Sequence, residues 1–355
     1  MYTLNETPVR TSKNYGINNI KIDLNMDEVK QIINKNGEFN NVSFETEELD
    51  KIKVNIEEKQ ELFSSKIGLV FDNFKEITIE VPDFVELKVP VVVDCLFDED
   101  NKVLIDNIKV KLGKNSKASF IINYSNELDL DKYFHYLKQE TILNDNSECN
   151  IIISNLISGE ANSFIAVENE LKENAKLSYT LIELGGNNRI SNYYSKLIGD
   201  NSKNFVKNIY LGNKKNIIDI NYNIDVFGKK ANCNIESQGA ISDEARKNFK
   251  GTIDFKQGST KAKGIENENC MILSDKAKSK SLPMLLCHEE DVYGEHGVSS
   301  GKPDESKLFY IMAKGISYND ARKLLVRANF NNIVNTIEND SLREAINNKI
   351  EEILK

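Results

Sequence analysis

A turn that recurs about every 28 residues limits the possible folds of this chain more than any other feature. Each copy usually has Asn or Lys followed by Ser or Ala, and a short run of strand-forming residues comes next. The Ser or Ala anchors are Ser116, Ser147, Ala175, Ser202, Ala231, Ser259 and Ala277, at intervals of 31, 28, 27, 29, 28 and 18 residues. Similar turns at such intervals predict the stacked coils of a β-solenoid, because each coil leaves its apolar edge bare until the next coil covers it. A β-sandwich is the alternative, but its turns usually recur roughly every 8–12 residues and do not resemble one another.

The spacing of the apolar residues divides the chain into three parts. Residues 67–304 have the pattern of one strand after another, rich in Ile and Val with turn residues between them. They are predicted to be the β-helix core of a mostly β protein. Residues 1–66 are predicted to form a short helical N-terminal cap, and residues 305–355 a helical C-terminal subdomain.

Three helices are predicted before the C-terminal subdomain. Two lie in the N-terminal cap, at 26–37 and 47–68, and the third is an insert in the core at 127–140. The insert carries His135, whose expected role is packing within an aromatic patch. The apolar faces of the first two helices are formed by Val29, Ile32 and Ile33, before an end at Gly37, and by Leu49, Ile52, Ile56 and Phe63.

Three amphipathic helices are predicted in the C-terminal subdomain. The first is expected to end at Gly315, and Ser317 or Asn319 can cap the second. These helices either cap the solenoid or offer a docking surface to a partner. Their apolar positions are Leu308, Ile311 and Met312 in the first, Ala321, Leu324, Leu325 and Ala328 in the second, and Leu342, Ile346, Ile350 and Ile353 in the third.

The five cysteines are dispersed and never form a CxxC pair. This pattern is neither a disulfide framework nor a zinc site, and it fits a reducing cytoplasm. Cys149 and Cys233 occupy the place two residues after the anchor, which Ala118 and Leu177 hold in other copies. A position that accepts Ala, Cys and Leu is interior, so both thiols are interpreted as structural. The same interpretation applies to Cys95, within an apolar run.

The charge and the hydropathy of the chain exclude several classes of partner. A net charge of −9 argues against nucleic-acid binding, because neutralising phosphates needs a concentrated basic face. No apolar run approaches the ~20 residues that span a bilayer. The N-terminal residues contain no apolar core or cleavage site. We therefore expect a cytoplasmic protein without a membrane partner.

Chemically capable residues gather where the core meets the C-terminal helices. The sequence contains no phosphate loop, no dinucleotide-binding motif and no HExxH motif. Thiolate, imidazole and carboxylate groups are ligands for iron, copper or zinc. His296 is flanked by Gly294, Gly297 and Gly301, and its alternative role is that of a loop histidine bonded to a backbone carbonyl. The one tight grouping of such residues is Cys270, Cys287, His288, Glu295 and His296.

Three blocks of the sequence, at 243–262, 269–286 and 291–330, resemble in order the SufB/SufD family. These proteins are scaffold subunits of the Suf machinery for iron–sulphur cluster assembly. The similarity is specific from about residue 243 to 330. The solenoid pattern of short strands and turns extends it back to about residue 66, and it is weak before that. The family fold implies a right-handed parallel β-helix with helical ends. The matching positions are His296-Gly297, Gly301, Leu308-Phe309-Tyr310, Gly315-Ile316, Ala321 and Phe330.

Three departures make the chain more similar to SufD than to SufB. Ala277 stands where SufB-like proteins carry a cysteine, and Gly297 stands where they carry a Glu after the histidine. The N-terminal cysteine cluster of some SufB proteins is also missing. Glu295, directly before His296, agrees instead with the SufB pattern. Cys270, seven residues from Ala277, is the thiolate considered as a substitute for the missing one.

The resemblance implies a non-enzymatic subunit that works with a SufB-like partner and the ATPase SufC. His296 is then the expected ligand of a cluster or of iron at the interface with SufB, and Cys270 and Glu295 are further candidates. No stably bound cofactor is expected, only a transient iron–sulphur cluster or iron at that interface. The isolated chain is also considered as a homodimer. The C-terminal helices are expected to dock SufC, with Leu308, Phe309, Tyr310 and Gly315 as the partner-binding residues.

Two other functions remain open at this point. One is a SufB-like scaffold that works as a homodimer and holds the cluster itself. The other is a β-solenoid polysaccharide lyase or hydrolase. Such enzymes are usually exported and need a basic or carboxylate cluster on the flank of the solenoid, and neither feature is visible in the sequence.

Overall fold

Strands account for most of the chain, and helices lie mainly at its C-terminus. The computed structural model describes all residues except 11–14, 37–40, 65–66 and 127–131. The helices are α1 (Met26–Asn36), α2 (Glu305–Met312), α3 (Tyr318–Val334) and α4 (Asp340–Ile353). The strands are β1 (Tyr2–Leu4), β2 (Ile20–Ile22), β3 (Val42–Glu45), β4 (Lys53–Ser64), β5 (Leu69–Val81), β6 (Val91–Phe97), β7 (Val103–Leu112), β8 (Lys117–Asn126), β9 (Tyr133–Leu143), β10 (Glu148–Asn155), β11 (Ala161–Leu171), β12 (Lys176–Glu183), β13 (Asn188–Leu197), β14 (Lys203–Gly212), β15 (Ile217–Val226), β16 (Asn232–Ile241), β17 (Arg246–Phe255), β18 (Lys263–Ile272), β19 (Lys278–Cys287) and β20 (Tyr293–Gly301).

Successive strands alternate between two nine-stranded sheets, and this alternation makes a β-solenoid. Sheet 1 contains β3 and the even-numbered strands β6 to β20, and sheet 2 contains β4, β5 and the odd-numbered strands β7 to β19. From β5 and β6 onward, every neighbouring pair is parallel, so two consecutive strands form one coil. At the other end, β3 and β4 pair antiparallel with β6 and β5. The predicted fold class, a mostly β parallel solenoid, is confirmed.

A left-handed backbone residue explains the repeated turn. Asn tolerates this conformation better than most residues, because its short side chain can hydrogen-bond locally. The next residue in each turn is a buried Ser or Ala. A small side chain is required because the chain bends into the crowded interior at that point. The residues with φ between +54° and +61° in sheet 1 turns are Asn115, Asn146, Asn174, Asn201, Lys230 and Lys261.

The strand register confirms five anchors and corrects two. Cys149 pairs with Ala118 and with Leu177, so the place two residues after the anchor is one column of sheet 1. In the coil after Ala231, the residue two places before that column is Ala262 and not Ser259, because the turn before β18 is two residues longer than the turn before β16. Ala277 precedes β19 in sheet 2, so the short last interval is a step from one sheet to the other.

The interior of the solenoid is a continuous apolar core that includes three of the cysteines. Cys95, Cys149 and Cys233 are buried in the same hydrophobic cluster as the inward residues of both sheets. Burial raises the pKa of the Cys233 thiol to about 12 and also raises the pKa of Cys149. The structural interpretation of these thiols agrees with their burial.

The outer faces of the two sheets are covered by different parts of the chain. N-terminal residues, among them Leu4, Ile22 and Val29, pack on outward residues of sheet 2 such as Phe134. Helices α3 and α4 pack on outward residues of sheet 1. The C-terminal helices therefore complete a second hydrophobic core. No helix among the described residues is long and apolar enough to cross a membrane.

The prediction of a second N-terminal helix is wrong. The described residues of the 47–68 region form a short 3-10 turn at Leu49–Lys51 and then strand β4, which pairs antiparallel with β5. Pairing along twelve residues outweighs the loosely helical spacing of the apolar residues. The predicted first helix is confirmed as α1. The side chains of Ile32, Ile33 and Phe63, and the whole of Gly37, lie outside the described part of the chain.

The predicted helical insert at 127–140 is also wrong for residues 133–140, which belong to β9, and residues 127–131 lie outside the described part of the chain. This strand is buried on both faces, by the interior on one side and by the N-terminal residues on the other. The run at its start, residues 133–137, is therefore aromatic and apolar without alternation and resembles a buried helix. His135 packs in an aromatic patch as expected, with its ring centroid 3.9 Å from that of Tyr124 and 6.0 Å from that of Phe97. Burial lowers the pKa of His135 to about 3.

Thiol labelling of the native protein should separate one cysteine from the other four. Cys287 is exposed, whereas the remaining cysteines are buried. We expect one fast-reacting thiol in the native wild type, none in Cys287→Ser, and labelling of all remaining thiols after denaturation. Rapid native labelling of Cys149 or Cys233 would show that these positions do not face the interior.

Candidate functional site: the open end of the solenoid

The last coil, formed by β19 and β20, leaves one edge of each sheet without a neighbour. β20 pairs only with β18, and β19 only with β17, among the residues that the structure describes. All residues of β20 except Gly297 are exposed. Unpaired edges of this kind present backbone N–H and C=O groups to another chain. The open end is therefore a ready surface for association.

His296 lies on the inward side of this last coil. It is in register with Glu266 of β18, and paired residues of parallel strands point to the same face. The Glu266 side chain is buried in the interior, so His296 faces the same way. A second contact confirms this orientation, since the Ser300 hydroxyl lies 2.9 Å from that of Ser279 across the interior. His296 is exposed only because no further coil covers it.

Glu295 lies on the opposite face of β20. Successive side chains of a strand alternate, and the Tyr293 hydroxyl donates a hydrogen bond of 2.8 Å to the Glu295 carboxylate. The structure therefore does not bring Glu295 and His296 together as ligands of one ion.

Cys270 is also separated from His296. Its thiol is fully buried, and its register partner in β20 is Ser300, four residues beyond His296. Four residues of strand span about 13 Å, too far for the two side chains to share a metal ion. Burial raises the pKa of the Cys270 thiol.

The other members of the predicted grouping lie apart as well. Cys287 is exposed at the far end of β19, and the His288 ring lies 3.5 Å from the carboxylate of Asp254. In the described part of the chain, no group of three or more His, Cys, Asp or Glu residues is arranged to hold a metal ion.

Two of the glycines that flank His296 have local packing reasons. A Cβ on Gly294 would lie 3.2 Å from Leu285 and 3.3 Å from Phe255, so only Gly fits this inward position without displacing its neighbours. A Cβ on Gly297 would lie 2.7 Å from the side-chain oxygen of Asn267 on the outer face. Gly301 has open space around it and is not explained by packing.

The interior becomes charged in the coils next to the open end. The Lys247 ammonium lies 2.6 Å from the Glu268 carboxylate, and both side chains are fully buried. Ser281 donates to the same carboxylate at 3.0 Å, and Tyr210 donates to it at 2.5 Å. A buried ion pair with this many hydrogen bonds holds its groups in one arrangement.

Glu266 is the residue of this site that the sequence interpretation missed. Burial and the neighbouring charge of Glu268 raise the pKa of its carboxyl to about 8. The inward position of Glu266 can be inferred from the sequence, because Glu266 and Glu268 follow Gly264 at alternate positions that the repeat places inside. In the sequence these two Glu residues alternate with the outward Asn267 and Asn269, which are similarly polar, so the inward carboxylates do not stand out.

Helix α2 follows β20 closely and exposes aromatic side chains. Asp304 caps it by accepting hydrogen bonds from the backbone N–H groups of Ser306 and Lys307. Phe309 is 75% exposed and Tyr310 66% exposed, whereas Leu308 is buried. Leu308 is therefore a packing residue that cannot contact a partner directly.

Gly315 ends this first C-terminal segment as predicted. Its φ of +88° is in the left-handed region, which glycine adopts at little cost after a helix. A Cβ at this position would meet no atom within 4 Å. The conformation of the backbone, and not close packing, explains why this position is Gly.

The described residues thus form a parallel β-solenoid with an unpaired terminal coil, an exposed inward histidine and a helix with exposed aromatic side chains. Residues 95–329 match the family model described as SUF system FeS cluster assembly, SufBD core domain. The chain belongs to this family of iron–sulphur cluster assembly proteins, and it is most similar to SufD.

Curated relatives agree with this assignment. The chain is 24% identical over 276 residues to the iron–sulphur cluster assembly protein SufD of Bacillus subtilis, which covers 78% of this chain and 63% of the relative. It is 24% identical over 165 residues to SufD of Escherichia coli, covering 46% and 38%. For a SufBD family protein of Pyrococcus horikoshii, the identity is 25% over 246 residues, covering 68% and 54%. The chain thus spans less than two thirds of each of these relatives.

Removing one partner of the buried ion pair should destabilise the protein strongly. Glu268→Gln leaves the Lys247 ammonium buried without its counter-charge, which costs about 3–5 kcal/mol in the free energy of unfolding. The double variant Lys247→Met with Glu268→Leu should cost less than this single change. Glu244→Gln, which breaks an exposed pair with Lys276, is the control and should cause no measurable change. Denaturant midpoints compare the four proteins, and an unaffected Glu268→Gln would contradict the arrangement.

Proposed function

We propose that this chain is a SufD-like, non-enzymatic scaffold subunit, active in the cytoplasm, that forms part of an iron–sulphur cluster site together with a SufB-like subunit. The observation that carries this proposal is the exposed His296, which lies inside the rim of an unpaired terminal coil. Neutral imidazole is a good ligand for iron at neutral pH. Within the described part of the chain the His296 ring has no hydrogen-bond partner, so it is free to bind.

The thiolate ligands of such a cluster would come from the partner. Ala277 stands at the position of the SufB cysteine, and the nearby Cys270 is sealed inside the solenoid. Because Ala277 holds the position of the SufB cysteine, a site shared with a SufB-like subunit suits this chain better than a homodimer that holds the cluster alone. This argument favours the SufD-like function over the SufB-like one.

The free edges of β19 and β20 supply the means of pairing. Strands of another solenoid can continue the sheets across the interface, which satisfies the backbone groups left unpaired at the edge. The same contact brings the rim residue His296 close to the partner. Association and site formation would then be one event.

Helix α2 is the proposed docking element for the ATPase SufC. Its exposed Phe309 and Tyr310 are the kind of aromatic anchors that dominate protein interfaces. The chain itself has no phosphate loop, so any ATP-linked motion must reach it through a docked partner. A rigid solenoid next to this helix is suited to transmit that motion.

His296→Ala should impair cluster formation while leaving the complex intact. The substitution removes an exposed side chain without intrachain hydrogen bonds, so folding and partner binding should change little. Cluster absorbance and iron content, measured after anaerobic reconstitution with the SufB-like and SufC partners, should fall at least fivefold. His288→Ala is the matched control and should behave as wild type. Normal iron content in a stable His296→Ala complex would contradict the ligand role, whereas loss of stability or partner binding would indicate a structural one.

Point variants of α2 test the docking surface better than deletion of 305–355. Helices α3 and α4 cover the apolar outer face of sheet 1, so the deletion should also destabilise the solenoid. We expect Phe309→Ala with Tyr310→Ala to weaken SufC binding by a factor on the order of 30, as for interface hot spots. Isothermal titration measures the affinity.

The matched control for the docking variant is Phe84→Ala, because Phe84 is as exposed as Phe309 but lies far from α2 in the sequence. This variant should bind SufC as the wild type does. Unchanged affinity of the α2 variant would place the docking site elsewhere.

A further inference from the structure

The Glu266 carboxylate has no partner in the described structure. Both of its oxygens are buried and neither has a hydrogen-bond donor. The buried Lys247 ammonium is already engaged by Glu268 and Ser281. Glu266 therefore differs from its neighbour Glu268, which is fully bonded.

An unpartnered buried carboxylate requires an explanation. Burying a polar group without a compensating bond costs several kcal/mol, roughly 2–7 depending on the reference state. Folded proteins rarely leave such a group unsatisfied, and the exceptions often mark a function or a bound ion. A role in folding does not explain Glu266, because no bond made in folding uses it.

The space around the carboxylate is kept open by a glycine. A Cβ on Gly251, in the opposite sheet, would lie 1.9 Å from one Glu266 oxygen. No other residue fits at position 251 while the carboxylate is there. The glycine thus admits the Glu266 head group to the interior directly below the open end.

His296 is the residue that lies next to Glu266 toward the solvent. The two are register partners on adjacent parallel strands, which are about 4.8 Å apart, and both face inward. A carboxylate and an imidazole on neighbouring strands at this spacing can approach the same ion from one side. Their combination of oxygen and nitrogen donors suits ferrous iron.

We propose that Glu266 and His296 together form a two-ligand half-site for Fe²⁺ at the open end of the solenoid. This inference rests on the proposed function and adds a second protein ligand to it. The remaining coordination positions are taken by water in the isolated chain and by groups of the partner in the complex. A half-site explains why the described residues include an unsatisfied carboxylate but no cluster of three or more metal ligands.

Binding of Fe²⁺ alone to the full-length isolated chain tests the half-site. Under anaerobic conditions, equilibrium dialysis compares wild type with Glu266→Gln, His296→Ala and Glu295→Gln. We expect each of the first two variants to weaken Fe²⁺ binding at least tenfold. Glu295→Gln makes the same chemical change one residue from His296 but on the outer face, so its affinity should stay within twofold of wild type.

The rise in melting temperature on adding Fe²⁺ gives a second readout. Each variant is measured against its own metal-free baseline, so a change in basal stability cannot imitate lost binding. The shift should be present in wild type and Glu295→Gln and absent in Glu266→Gln and His296→Ala. The metal-free midpoint of Glu266→Gln should not fall, because the substitution removes a buried carboxylate that has no bond to lose.

The outcomes separate this inference from the proposed function. If Glu266→Gln binds Fe²⁺ as wild type does, the half-site is overturned, whatever His296→Ala shows. Weakened binding in His296→Ala alone would leave the histidine as a ligand and remove Glu266 from the site. Equal binding by all four proteins would mean adventitious iron only and would also overturn the half-site. The cluster assay with His296→Ala in the complex judges the proposed function independently.

Discussion

The parallel pairing of each strand with the same strand of the next coil is the interaction on which this structure depends. It satisfies the backbone of every interior coil and stacks equivalent side chains in columns. The turn with a left-handed Asn or Lys and a small buried residue makes this stacking possible. The same pairing leaves one backbone edge of β19 and one of β20 unpaired, because no further strand follows them in either sheet among the described residues. The proposed metal ligands are located where the stacking stops.

The columns also explain how a uniform fold carries a local site. Most inward positions hold apolar residues such as Ile151 and Leu181, which need nothing beyond packing. Near the open end, the same columns hold Glu266, Glu268 and His296. The bonded pair Lys247–Glu268 fixes the interior one coil below the rim. The coils behind the site therefore act as a rigid support for side chains that must meet a partner in a defined position.

The covering of the outer faces leaves few surfaces for partners. N-terminal residues occupy part of the outer face of sheet 2, and α3 with α4 occupies that of sheet 1. The rim of the last coil and the aromatic helix α2 remain exposed, and residues 302–304 connect them. A force applied at Phe309 or Tyr310 would reach the end of β20 through this short connection. The two proposed interfaces are thus mechanically adjacent, which suits a scaffold that responds to an ATPase.

The sequence by itself determined the solenoid, its interior thiols and the helical C-terminus, because these follow from local patterns that repeat. The left-handed residue in the sheet 1 turns is Asn or Lys, followed by a small residue, so the turn can be recognised without knowing which strands pair. The sequence predicts helices at β4 and β9 because the simple alternation of apolar and polar residues is lost there. β9 is buried on both faces, and β4 is paired at the edge of its sheet. Only the tertiary structure decided the site. Residues close in sequence, Glu295 and His296, face opposite sides of one strand, while Glu266, thirty residues away, lies beside His296 because the coils stack in register.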